Sequence, residues 1–212
     1  ECRALGIDVL VPDVNTSEAA FVARHPETAK VGTIPFGLAG VRNVGEALVE
    51  KIVEEREKNG PYTDFYDFCQ RVDTGVLNKR SMESLVKAGA FDSLGVPREG
   101  LLQVYEQIID STVARRRERD LGVMSLFGGG DDGEVTFDDT RVPIPETEFP
   151  KGLKLSYEKE MLGLYVSDHP LMGAEAALRK HVDCSITEVR ETKAGELRVV
   201  GGIITNLNRR YT

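Results

Sequence analysis

The sequence predicts a mainly α-helical chain built on a tandem helix–hairpin–helix module, with flanking helices and a short β element near the N-terminus. Three observations carry this. Apolar residues recur at helical spacing in several separate stretches, Gly-containing turns feed two of those stretches between Gly37 and Gly95, and strand-like runs are few and short. With 212 residues, 41% hydrophobic and 29% charged, the chain can bury a core.

The N-terminal 30 residues read as a short helical start, the apolar run Ile7–Val11 and a turn at Pro12–Asn15. Val31–Leu38 alternates weakly, as a strand would, before the first hairpin. That hairpin, Gly37–Gly45, leads into a helix over Glu46–Lys58 with Leu48, Val49, Ile52 and Val53 on one face, stopped by Asn59-Gly60-Pro61. Thr63 is the expected N-cap of a short helix carrying Phe65, Phe68 and Val72. The second unit, Asp73–Gly95, centres on Asn78-Lys79-Arg80; Asn78 is the expected N-cap of a helix carrying Met82, Leu85 and Val86, which Gly89 ends.

A Gly-containing turn at a helix N-terminus leaves backbone N–H groups unpaired at the positive end of the helix dipole. Such a turn can hold a nucleic-acid phosphate without reading sequence. Gly40, Arg42, Asn43 and Gly45 in the first hairpin, and Asn78, Lys79 and Arg80 in the second, are the candidate DNA-binding residues; a side chain at Gly45 would hold a phosphate off the backbone. Ordinary helix–turn–helix packing accounts for either unit taken alone.

A longer helix is expected from Pro97 to Asp120, with Leu101, Tyr105, Ile108 and Thr112 on its inner face. Arg115, Arg116, Arg117 and Arg119 in its last turn fit either a solvated helix end or phosphate contact. After Gly122, residues 128–150 are rich in Gly, Asp, Glu and Pro and read as an acidic loop with little reason to pack. Just before it, Val123-Met124-Ser125-Leu126-Phe127 is an apolar cluster in a polar connector. It either tucks onto its own domain or inserts Leu and Phe into a partner's pocket. Helical patterning returns over Leu153–Val166 and stops at Gly163, Ser167–Leu171 forms a turn, and a short helix follows over Ala174–Arg179. Leu197–Leu207 is β-branched and Gly-containing, as a strand with a bend at Gly201-Gly202 would be.

A net charge of −8 argues against a surface that is DNA-binding throughout and leaves room for a local basic site. Cys2, Cys69 and Cys184 lack metal-ligand spacing and fit reduced thiols of a cytoplasmic protein. No apolar run approaches the roughly 20 residues of a membrane span. The chain starts without Met and ends just after a strand-like run, so it is expected to be a fragment of something longer. Asp131-Asp132 and Asp138-Asp139 are carboxylate pairs of the type that holds two metal ions, but a Gly-rich loop gives them no fixed geometry. His25, His169 and His181 have no ligand partners at useful spacing. No catalytic residue and no metal site are expected in this segment.

Several of these stretches together resemble one family, the C-family replicative polymerases of bacteria, that is, the DNA polymerase III alpha subunits. Glu1–Ile7 and Val9–Asn15 are similar to the end of the family's fingers domain. Phe36–Glu46, Asn78–Arg80 and Leu85–Gly95 resemble its tandem helix–hairpin–helix. Glu158–Tyr165, with Ser167 and His169-Pro170-Leu171, resembles a further signature, and the last strand looks like the first strand of its OB domain. The resemblance implies the end of the fingers over 1–36, the DNA-binding module over 37–95, a helix with clamp-binding motif and acidic linker over 96–150, a helical connector over 151–196 and a truncated OB domain from 197 to 212.

The resemblance further implies a grip on the primer–template duplex through its backbone and docking on the beta sliding clamp through Val123, Met124, Ser125, Leu126 and Phe127. Val123 stands where the family usually has Gln, and Asp168 where it commonly has Gly. The family's catalytic carboxylates and the Mg2+ of the full-length DNA-directed DNA polymerase lie upstream of this segment, and other replicase subunits engage the rest of the subunit. A non-catalytic helix–hairpin–helix repair factor would explain residues 37–95 but not the Leu-Phe motif or the Glu158–Leu171 signature. The error-prone paralogue of the same subunit is a close variant of the family reading.

Overall fold

A computed structural model describes residues 2–24, 32–120, 141–171, 175–204 and 207–209. The chain divides into two compact units, Glu1–Ser167 and Asp168–Thr212.

In the first unit a 3-10 turn at Cys2–Leu5 precedes β1 (Asp8–Leu10), which pairs in parallel with β2 (Thr33–Pro35) in the register Asp8 with Thr33 and Leu10 with Pro35. The expected apolar run and the expected strand before the hairpin thus form one small sheet. A 3-10 turn at Leu38–Gly40 leads to α1 (Glu46–Asn59), followed by α2 (Phe65–Arg71), α3 (Lys79–Ala88), α4 (Arg98–Asp120) and α5 (Lys151–Leu162). Among the described residues, all regular structure beyond β1 and β2 is helical.

The core lies where α1–α4 meet. Phe65, Phe68 and Phe91 are buried and pack edge to face, Phe65 on Phe91 at 5.0 Å and Phe68 on Phe91 at 5.1 Å between centroids. Such pairs add about 0.5–1.5 kcal/mol beyond area burial. Val49 and Ile52 from α1, Met82 and Leu85 from α3, and Leu101, Tyr105 and Ile108 from α4 complete it. The inner face read from α4 is the buried one, with Thr112 donating its hydroxyl to the carbonyl of Ile108 (2.8 Å).

Two helix ends differ instructively. α3 starts at Asn78, whose Oδ1 accepts from the N–H groups of Arg80 (3.0 Å) and Ser81 (3.3 Å), and stops at Gly89 in left-handed geometry (φ 87°), both as expected. α2 is capped not by Thr63 but by Asp64, whose Oδ1 accepts from the N–H of Asp67 at 2.7 Å. Thr63 instead donates its own N–H to Asp67 Oδ2 (3.0 Å), so the reciprocal cap sits one residue later.

Residues 141–150 correct the expectation of an unpacked loop. Tyr66 donates its hydroxyl to the carbonyl of Val142, Gly100 donates its N–H to Thr147 (3.0 Å), and Val142 and Ile144 pack against the core. The approach requires glycine at position 100, since a Cβ there would collide with the carbonyl oxygen of Pro145. Alternating Val142 and Ile144 among prolines gives this stretch an apolar edge that its composition conceals. The clusters Val123–Phe127, Asp131-Asp132 and Asp138-Asp139 lie outside the described residues.

The second unit holds a short helix, α6 (Glu175–Arg179), and a 3-10 turn at Glu188–Glu191. At its start the N–H of His169 donates to Asp168 Oδ1 (2.7 Å) and that of Leu171 to His169 Nδ1 (3.2 Å), making the expected turn before Pro170. The run expected as a strand from Leu197 joins no ladder among the described residues; Val199 alone exchanges bonds with Asp183 (2.9 and 3.1 Å). Leu197 and Ile204 are exposed.

Candidate nucleic-acid interface

The first hairpin is anchored from below and open from above. Leu38, Val41 and Val44 are buried and fix its three corners. Leu38 and Ala39 donate their N–H groups to the carbonyls of Glu18 (2.9 Å) and Ala19 (3.1 Å), docking the turn on the N-terminal segment. Gly40 N–H goes to Gly37 (3.0 Å), Val41 to Leu38 (3.2 Å), Val44 to Val41 (3.1 Å) and Arg42 to Met161 at the end of α5 (2.9 Å). Gly40 is therefore a turn residue whose donor is already used, and the Phe36 ring lies where its Cβ would be.

The N–H groups of Asn43, Gly45, Glu46 and Ala47 find no acceptor among the described residues. Gly45 is the N-cap of the 14-residue α1 with extended backbone (φ −88°, ψ 151°) and supplies no side-chain cap. Nothing lies within 4 Å of where its Cβ would project. Donors and the positive end of the α1 dipole thus face open space, the arrangement that binds an anion.

Asn43 makes this geometry. It is the one non-glycine residue with positive φ (63°) among the described residues, a conformation Asn tolerates better than most. Its side-chain amide donates to Ser84 Oγ (3.0 Å), while its carbonyl accepts from Ser81 Oγ (2.9 Å). Its side chain is therefore a strut onto α3, and what it offers a ligand is its backbone N–H. Arg42, beside it, is exposed and has no side-chain partner among the described residues; the same holds for Arg80, in the first turn of α3. The Asn43–α3 bonds bring these two arginines to one junction. Glu46 and Glu50 are the exposed acids nearby on α1.

The second hairpin is built differently. The Asn78 side chain occupies the donors of α3 that a phosphate would need. Lys79 Nζ is held by Glu106 (3.1 Å) and Asp110 (2.9 Å) of α4, and those two carboxylates raise its pKa. Asn78 and Lys79 are internal braces, so of the three residues expected here Arg80 is the one whose charge has no partner among the described residues. Among the expected residues, Arg42, Gly45 and Arg80 are the ones left open to a ligand among the described residues, next to backbone donors at 43, 46 and 47 that no side-chain pattern could mark.

Residues 6–101 match the family model described as a helix-hairpin-helix motif, a span wider than 37–95 because it takes in β1 and the first turn of α4. Nearly the whole chain aligns with DNA polymerase III alpha subunits: that of Saccharopolyspora erythraea is 44% identical over 99% of this chain, and that of Mycobacterium tuberculosis 42% over 99%. The chain belongs to the family of DNA polymerase III alpha subunits, as a segment of them. It covers 18% of each of those two relatives, and 17% of the Borreliella burgdorferi subunit, to which it is 34% identical. The Glu158–Leu171 signature of this alpha-subunit segment has a physical basis here. Glu158 is fully buried and accepts from Arg98 Nη1 (3.1 Å), Ser167 Oγ (2.8 Å) and the N–H groups of Ser167 (3.1 Å) and Val166 (3.4 Å).

Proposed function

We propose that this segment grips the primer–template duplex by its backbone and couples a DNA polymerase III alpha subunit to the beta sliding clamp. The observation that carries the DNA-binding half is the open row of N–H donors at Asn43, Gly45, Glu46 and Ala47, with Arg42 and Arg80 beside it lacking side-chain partners among the described residues. Backbone donors and unpaired arginines contact phosphates without base readout, which suits an enzyme that must advance over any sequence. The clamp half rests on the Val123–Phe127 cluster of the sequence and on the family relationship.

In this reading the polymerase activity and its Mg2+ belong to the complete subunit, with catalytic carboxylates outside this segment. Residues 1–36 close the fingers domain, 37–95 hold the duplex, 96–150 include the clamp motif, 151–196 connect, and 197–212 begin the OB domain. A cytoplasmic setting with Cys2, Cys69 and Cys184 reduced goes with it. Among the described residues no helix is long and apolar enough to cross a membrane.

Substitution Gly45→Asp tests the DNA site, because its two effects have opposite signs. An Asp N-cap accepts from the first-turn N–H groups and gains a few tenths of a kcal/mol over Gly. It also fills the anion site with a negative charge. The expected result is unchanged or slightly raised thermal stability with duplex affinity lowered at least severalfold; unchanged affinity would refute the site.

A further inference from the structure

The duplex-binding reading accounts for one end of α1 and leaves a second basic feature unused. A groove of about 670 Å3 runs between the α2–α3 turn (Val72, Asp73, Thr74, Gly75) and the last turns of α4, where Arg117 and Arg119 line it. Its base is fixed by Arg116, which donates from Nη1 to Val72 (2.8 Å) and from Nη2 to Cys69 (2.7 Å) and Gln70, covering the carbonyl end of α2. The run of arginines therefore divides by role. Arg116 is a helix cap, while Arg115, Arg117 and Arg119 are exposed and have no acceptor among the described residues.

The other charges along the groove are engaged. Arg71 is held by Glu55 (3.1 Å) and Asp67 (3.0 Å). The Asp73 carboxylate accepts from the N–H of Gly75 (2.7 Å) and from Lys51 Nζ (3.3 Å). Among the described residues Arg117 and Arg119 form no ion pair, on a chain whose net charge is −8. Arginine placed this way suits bidentate contact with phosphate oxygens.

The groove is connected to the first hairpin. Lys51 lies six residues beyond Gly45 on α1, about 9 Å at 1.5 Å per residue, and its ammonium rests on Asp73 at the groove wall. The Lys51–Asp73 pair thus lies between two sets of anion contacts, the backbone donors at the α1 N-terminus and the arginines of α4. A spaced succession of anion contacts fits a polymer of phosphates better than a single anion or an acidic side chain.

We infer that Arg117 and Arg119, with the α2–α3 turn, form a second phosphate-contact site that extends the duplex footprint from α1 onto the end of α4. This rests on the duplex-binding reading above and adds Arg117 and Arg119, which lie outside both hairpins. The test is fluorescence anisotropy of a short labelled duplex titrated with the 212-residue chain between about 50 and 200 mM salt, where each phosphate contact contributes a log–log slope near −0.9. Arg117→Ala/Arg119→Ala should weaken binding severalfold for any sequence and make the slope shallower by about 1.8, with an unchanged melting temperature because neither side chain has a partner among the described residues. Arg42→Ala/Gly45→Asp should weaken it independently, so that the combined variant loses the product of both factors. If the α4 variant retains wild-type affinity and slope while the hairpin variant weakens, the groove assignment is overturned and the duplex-binding reading stands. If neither variant weakens binding, both fall. A labelled poly-glutamate peptide that binds as tightly as the duplex, and loses that binding in the α4 variant, would assign the groove to an acidic protein partner and overturn the proposal.

Discussion

Arg98 and Glu158, 60 positions apart, form an ion pair of 3.1 Å with both side chains withdrawn from solvent, at 4% and 0% exposure. Arg98 opens α4 and Glu158 sits in α5, so the pair pins two helices that both pack on α3. Asp92 binds the same guanidinium at 2.7 Å. Burial works against the Arg98 charge, and Asp92 and Glu158 more than offset it, holding its pKa above the usual value. Met161, three residues after Glu158, accepts the Arg42 N–H, so this network also fixes the first hairpin.

Removing one partner should be costly. Glu158→Ala leaves a buried guanidinium half-compensated and strips acceptors from Val166 and Ser167, a loss on the order of 3–5 kcal/mol. Exposed Glu160→Ala is the control and should stay within about 0.5 kcal/mol of wild type. Urea denaturation of the three proteins checks this; equal midpoints would mean the pair carries no net stability.

Gly89→Ala should also destabilise strongly. Its φ of 87° costs an L-residue about 1–2 kcal/mol, and its Cβ would strike the Arg98 guanidinium. The substitution therefore strains a turn and displaces the network together. A melting temperature lowered by more than that of Gly95→Ala, which has the same left-handed geometry (φ 73°, ψ 20°) but no atom within 4 Å, would separate collision from backbone strain.

What was legible in the sequence follows a physical division. Local signals held: Asn78 and Gly89 bound α3, and the stripe Leu101, Tyr105, Ile108 faces inward, because caps and periodicity are decided within a few residues. Long-range partners were invisible. Arg56 looks like one more charge on a solvated helix, yet it is buried and donates to the carbonyls of Val14 (3.0 Å) and Ser17 (2.8 Å). Asn78 and Lys79 read as phosphate contacts because their types fit; that α4 supplies Glu106 and Asp110 to Lys79 depends on packing between helices. The Glu158–Leu171 signature was legible only as a family pattern, since the reach from Glu158 back to Arg98 leaves no local trace.

Alkaline titration should expose a second buried polar contact. Tyr62 is buried and donates its hydroxyl to the carbonyl of Ile52 (2.8 Å). Burial pushes its pKa up from 10.0 to about 12, with Arg71 opposing and Glu55 adding to the rise. The folded pKa lies above the unfolded one, so this contribution is full below pH 10 and is lost as pH rises toward about 12. Burial of Tyr105 acts in the same direction. Tyr62→Phe should lose about 1 kcal/mol at neutral pH with the hydrogen bond, yet decline less steeply between pH 10 and 12. Parallel stability curves for the two proteins would contradict this assignment.

The clamp half of the proposed function stands or falls on Leu126 and Phe127. They form an apolar pair between Gly122 and Gly128 in a connector rich in acid and glycine, and lie outside the described residues. Linear motifs concentrate their binding energy in one or two side chains that fill pockets. Burying a Leu or Phe is worth roughly 1.5–3 kcal/mol each, so Leu126→Ala/Phe127→Ala should weaken binding to purified sliding clamp on the order of a hundredfold or more. Val123→Gln should strengthen it, because Gln is the residue usual in the family motif and its amide can hydrogen-bond the clamp. Duplex affinity should be unaffected by either change, since neither touches the α1 donors or the arginines of α4. Titration of clamp against the three proteins, with thermal unfolding of each, distinguishes the outcomes. A double variant with wild-type clamp affinity, or with a large drop in melting temperature, would place the pair in an ordinary core and remove the clamp from the proposed function.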